Sequence, residues 1–192
     1  MKLQPANKYI IFNNLFFYSY LVCKEYYYKD FSTNNLLIYR QNSFKLLNLL
    51  YLFETFIALV YKKSVLHNWK IKDYVRHHLL LACFMMYYYK YALPLNKYYV
   101  NTQKYGILVN TYEITALLEN FSIPKKYLIM LKFLSFYNLL NLIYYEITES
   151  YTYYNIIYSN KKYYAIFILI AAFYHITVVI PSTLKYLKKN IL

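Results

Sequence analysis

The chain holds 30 tyrosines but a single glycine in 192 residues, is 60% hydrophobic, and carries a formal net charge of +14. That apolar content excludes an ordinary water-soluble domain, and one domain is the expectation for this length. A nucleic-acid binder gathers its Lys and Arg on one face or stripe, whereas here they are interleaved with apolar runs, so no nucleic-acid partner is expected.

Taken in chain order, the apolar runs predict an all-α, polytopic membrane bundle of about six spans, each of about 20 residues. The first runs from about Tyr9 to Cys23 and the second from Phe44 to Tyr61. After a basic loop, Lys62 to Arg76, the third extends from His77 to Leu93 and is closed by Pro94. The fourth and most polar, Tyr105 to Phe121, ends before Pro124. The fifth covers Tyr127 to Ile147, and the sixth Tyr163 to Ile180, where Pro181 is expected to stop it. Barrel strands need short alternating segments separated by turns, and a chain whose only glycine is Gly106 offers few. Scarce glycine also removes the small-residue contacts by which membrane helices approach closely, so packing through bulky Leu, Ile, Phe and Tyr is expected. A small excess of Lys and Arg on the side holding both termini orients that side toward the cytoplasm or matrix. Basic residues flanking the spans, Lys62, Lys63, Arg76, Lys125 and Lys126, are the candidate contacts to lipid head groups.

Ionisable groups inside spans are expensive, so they mark either function or internal pairing. They are Glu54 in the second span, Arg76, His77 and His78 at the start of the third, Glu113 in the fourth, Glu146 near the end of the fifth, and His175 in the sixth. Glu54, His77, His78, Glu113 and His175 form the candidate intramembrane polar cluster; the alternative is that they are structural pairs. Adjacent histidines on a helix point about 100° apart, so at most one of His77 and His78 faces a given site. A haem between that one and His175 is conceivable, but haem packing benefits from small residues, and bound phospholipid such as cardiolipin is the better expectation. Cys23 and Cys83 match no zinc or disulfide spacing, and no metal centre is expected. Neither a nucleophile elbow, a His-Glu-x-x-His motif nor a glycine-rich phosphate loop occurs, so no catalytic residues are assigned.

The stretch Lys72-Asp73-Tyr74-Val75-Arg76-His77-His78-Leu79-Leu80, followed by Asn110-Thr111-Tyr112-Glu113-Ile114-Thr115-Ala116-Leu117-Leu118-Glu119-Asn120, resembles the TLC-domain family. In that family an acidic residue and a His-His pair open one helix, and a later helix carries an acidic residue, then Ile or Val, then Ser or Thr. The resemblance covers about residues 44 to 185 within a single domain spanning 1 to 192. It implies an intramembrane cavity between helices, used for lipid acyl transfer or for non-enzymatic lipid handling. The family's acyltransferases add two aspartates on the later helix; here Glu113 and Glu119 are the only acids, which argues against acyl transfer.

Abundant Tyr, Lys, Asn, Ile, Leu and Phe with few Gly and Pro is the usage of a very AT-rich genome, and the composition is similar to that of organelle-encoded ciliate mitochondrial proteins. No cleavable leader is evident after the first apolar run. The leading expectation is therefore a non-catalytic accessory subunit of a large membrane complex, such as a respiratory-chain assembly of the mitochondrial inner membrane, partnered by lipids and other integral subunits. The alternative is a TLC-type lipid-handling protein or lipid acyltransferase of the endoplasmic reticulum.

Overall fold

A computed structural model describes residues 5–27, 33–61, 71–91, 99–156 and 162–191, and among them there is no strand. The helices are α1 (Pro5–Tyr27), α2 (Thr33–Tyr61), α3 (Ile71–Tyr91), α4 (Val100–Leu108), α5 (Thr111–Leu118), α6 (Lys125–Ile156), α7 (Lys162–Tyr174) and α8 (Ile180–Ile191). A π-helical turn, His175–Val179, joins α7 to α8 without a break. The antiparallel pair α2 and α3 makes the most extensive contact, and α6 packs against α4, α5 and α7.

Polarity is distributed the wrong way round for water. Asn14, Glu54, His78, Gln103, Asn110, Lys132, Asn138 and Glu146 are buried, while Phe12, Leu49, Phe56, Met130, Phe133 and Phe173 lie on the outside. A bundle in hydrocarbon has this arrangement, because an apolar side chain gains nothing by leaving lipid whereas a polar one must find an internal partner. Three segments are long and apolar enough to cross a membrane: Ile38–Tyr61, Lys125–Asn155 and Ala165–Lys185.

The fourth predicted span is not one helix. Asn110 and Thr111 break it, because short polar side chains compete with the backbone ladder. Asn110 Nδ2 donates to the carbonyls of Gly106 at 3.1 Å and Ile107 at 2.9 Å, and Thr111 Oγ1 donates to that of Leu108 at 3.0 Å. These bonds satisfy the carbonyls that the end of α4 leaves open. α6 clamps the broken helix at both ends and in the middle. Glu149 accepts the amides of Asn101 and Thr102, each at 3.0 Å, and so caps the start of α4. Asn138 Nδ2 donates to the Leu108 carbonyl at 3.2 Å, and Lys132 pairs with Glu119 just past α5. The consequence is positional: Glu113 sits in the first turn of α5 and is buried.

Other boundaries move too. The third helix starts at Ile71, so Arg76 is an exposed residue of α3 and no longer part of a loop; Lys62, Lys63, Leu93 and Pro94 lie outside the described residues. Pro181 does not end the sixth helix, which continues to Ile191. Proline lacks an N–H and crowds the carbonyl four residues back, and the π turn just before it absorbs both defects. Bulky Tyr18, Leu47, Tyr74, Tyr99, Ile107 and Leu117 fill the core as expected, and Ala58, Ala82, Ala165, Ala171 and Ala172 are buried among the bulky residues. Gly106 itself lies under Phe44, whose Cζ stands 3.3 Å from where a Cβ would be.

Candidate functional site

Glu54 on α2 and His78 on α3 meet at the centre of the bundle, with His78 Nε2 2.9 Å from Glu54 Oε2. The contact is an ion-pair approach, and Nε2 makes no hydrogen bond. The other ring nitrogen is committed: Nδ1 lies 3.0 Å from the carbonyl of Tyr74, one turn back. A carbonyl can only accept, so Nδ1 carries the proton. Glu54 is held from two sides, by Tyr74 Oη donating at 3.0 Å to Oε2 and Asn14 Nδ2 donating at 2.5 Å to Oε1. The Tyr74 ring lies over the imidazole, with centroids 4.0 Å apart, and that of Tyr51 meets it edge-on at 5.0 Å.

Glu113 completes the group. One ligand-capable atom from each of Glu54, His78 and Glu113 lies within 4.8 Å of the others, and Glu113 Oε2 is buried without a hydrogen-bond partner. Two carboxylates so close together repel unless a positive charge or protons lie between them.

Beside this group the bundle encloses a cavity of about 90 Å³, partly open at one side, with Glu113, Tyr51 and Asn110 in its wall. A second acid–imidazole pair lines the same cavity: Glu146 Oε2 on α6 is 2.9 Å from His175 Nδ1 in the π turn. His77, also in the wall, places Nδ1 2.8 Å from Tyr174 Oη. The remaining wall is mainly apolar, including Phe44, Leu139 and Ile168.

The sequence named Glu54, His77, His78, Glu113 and His175 together, and the fold separates them into two neighbouring places. Glu54, His78 and Glu113 converge on one, while His175 joins Glu146 at the other; His77 contacts Tyr174. Both histidines of the adjacent pair nevertheless point inward, His78 toward Glu54 of α2 and His77 toward Tyr174 at the end of α7. Lys125 and Lys126 are exposed at the start of α6. Sequence reasoning missed Asn14 and Tyr74, which orient Glu54; an asparagine amid the apolar residues of α1 was the available clue. It also missed a buried ion pair near the other ends of α1 and α2, Glu25 with Arg40. Arg40 Nε donates to Glu25 Oε1 at 3.1 Å and Arg40 Nη1 to the Val100 carbonyl at 2.8 Å. Glu25 lies two residues past the expected end of the first span at Cys23, where an exposed acid attracts no notice.

No protein-family model matches the chain, and neither a curated protein nor a solved structure is similar to it.

Proposed function

We propose that the chain is a polytopic integral membrane protein of TLC type that handles an amphiphilic lipid, taking its polar end into the cavity between α3, α5, α6 and the π turn. One observation carries this reading: Glu113, in the wall of a partly open, mainly apolar cavity, stands beside the acid-paired His78 buried behind it. This is the juxtaposition that the TLC resemblance implies for residues 72–80 and 110–120. The cavity volume suits a head group or ester with a few methylenes and is too small for a whole lipid, so the acyl chains would lie outside, along the apolar face.

Glu113 and the Glu146–His175 pair give the cavity wall donors and acceptors, which suits a hydroxyl, amine or carbonyl of the ligand. The accessory-subunit reading draws on composition, the basic flanks and the lack of an evident leader, and exposed apolar faces serve lipid as well as a neighbouring subunit.

The test is photocrosslinking of the full chain in nanodiscs with a lipid bearing a diazirine near its head group. Ser182, exposed yet lining the cavity, supplies the variant. Ser182→Trp is expected to cut crosslinks to α5 and α6 cavity residues about tenfold, the loss of about 1.4 kcal/mol of binding, while helicity is unchanged. Crosslinks confined to outward residues such as Phe133, or insensitive to Ser182→Trp, would defeat the lipid reading. Comigration of the chain with a megadalton complex on native gels would then favour the subunit.

A further inference from the structure

Glu54, His78 and Glu113 come from three different helices, and their exposures are 1%, 0% and 4%. Two of their atoms, His78 Nε2 and Glu113 Oε2, lack hydrogen-bond partners, although orphaned buried polar atoms are each costly. Something that fits between them would remove both deficits at once.

We propose that Glu54, His78 and Glu113 bind one divalent metal ion of the Zn²⁺ type inside the bundle. The imidazole is already set for it. With the proton of Nδ1 given to the Tyr74 carbonyl at 3.0 Å, neutral His78 presents its lone pair on Nε2, as metal-ligating histidines do when a backbone carbonyl fixes their tautomer. Glu54 has the outer contacts that orient a ligating carboxylate, from Tyr74 and Asn14.

Charge and donor type narrow the ion. Two carboxylates and a neutral imidazole sum to a charge that one divalent cation cancels. Ca²⁺ takes six to eight oxygen ligands and Mg²⁺ a near-ideal octahedron, whereas three donors including an imidazole suit Zn²⁺ with a fourth position left open. Zinc holds such donors at about 2.0–2.2 Å, so separations of up to 4.8 Å in the group must close while the 2.9 Å contact of His78 Nε2 with Glu54 Oε2 opens slightly. Its carboxylates are ends of flexible side chains and can do so by rotation. The sequence concealed the site because metal motifs are read from close spacing, and these donors are spread across α2, α3 and α5.

No lipid enters this argument, so the metal site stands or falls apart from the lipid reading. The full chain, extracted in detergent and washed with a weak chelator, is dialysed against Zn²⁺ and its metal content measured by plasma mass spectrometry. About one Zn²⁺ per chain is expected, with a melting temperature that drops on addition of EDTA and recovers with Zn²⁺. Replacement by Co²⁺ should give visible d–d absorption of a low-coordinate site. Glu113→Gln, which keeps shape and helix, should lower Zn²⁺ content and the Co²⁺ bands at least about tenfold, whereas Lys126→Gln, exposed at the start of α6, should retain both. His78→Gln is the second variant, should Glu113→Gln fail to fold. Less than roughly 0.1 equivalents of Zn²⁺, Mn²⁺ or Fe²⁺ in the wild-type chain, with no response to EDTA, would overturn the site. A Glu113→Gln chain that melts higher and binds metal as the wild type does would also overturn it, leaving shared protons as the neutralising charge.

Discussion

Arg40 and Glu25 show what a single side chain is worth where water is scarce. Both are at least 95% buried, and the guanidinium divides its donors between the carboxylate and the Val100 carbonyl, tying α1, α2 and α4 together. Removing one partner of a buried pair leaves the other charge uncompensated, at a cost of about 3–5 kcal/mol, while replacing both with apolar residues is often neutral. Arg40→Met should therefore lower the melting temperature in detergent strongly. The double variant Arg40→Met with Glu25→Met should recover most of that loss, measured as a double-mutant cycle by thermal unfolding. Equal losses in the single and double variants would mean that the Val100 bond, not the ion pair, holds this corner.

At the scale of elements, the π turn between α7 and α8 sets the phase of everything after it. A π turn holds one residue more than the α turn it replaces, so deleting Val178, itself exposed, should leave α8 nearly in phase, whereas inserting one alanine after Val179 should rotate α8 by about 100°. Thr183 and Leu187, buried on α8, would turn outward in the insertion. Loss of monodisperse protein on gel filtration is expected for the insertion, with little change for Val178→Leu. The same helix shows how far the sequence can be read. Its apolar length announced a span from composition alone, but proline rules written for α-helices ended it at Pro181, since a π turn leaves no periodicity to find. In α4 and α5 the opposite happened: a run apolar enough to look continuous was cut by Asn110, whose side-chain bonds to Gly106 and Ile107 depend on Tyr51 and α6 to hold them in place. Glu54, His78 and Glu113 were legible as costly ionisable groups and as members of one candidate cluster. Which members of that cluster meet was not, because it depends on how α2, α3 and α5 pack, and Asn14 and Tyr74 carry no mark in sequence of the partner they serve.

For the whole molecule, the number of crossings is the open quantity with a simple readout. Hydropathy marks three segments, but it counts inward-facing residues such as Asn14 and His78 against α1 and α3, though lipid never meets them. By length α1, with 23 residues, and α3, with 21, reach about 30 Å or more, so all six helical units could cross. Even and odd counts separate cleanly: six crossings put both termini on one side, three put them on opposite sides. Protease protection of N- and C-terminal tags in sealed vesicles is expected to show both on the same side. The Glu54 contacts also dictate an order of assembly as the chain is made. Asn14 is already in place when α2 emerges, but Tyr74 follows 20 residues after Glu54, when most of α3 has still to be synthesised. A membrane-insertion machine that releases helices singly would strand that acid in hydrocarbon, so α2 must be held until α3 arrives and the two leave as a hairpin. Lengthening the connection between them should thus reduce the fraction of chains inserted, even though the finished bundle would be unchanged.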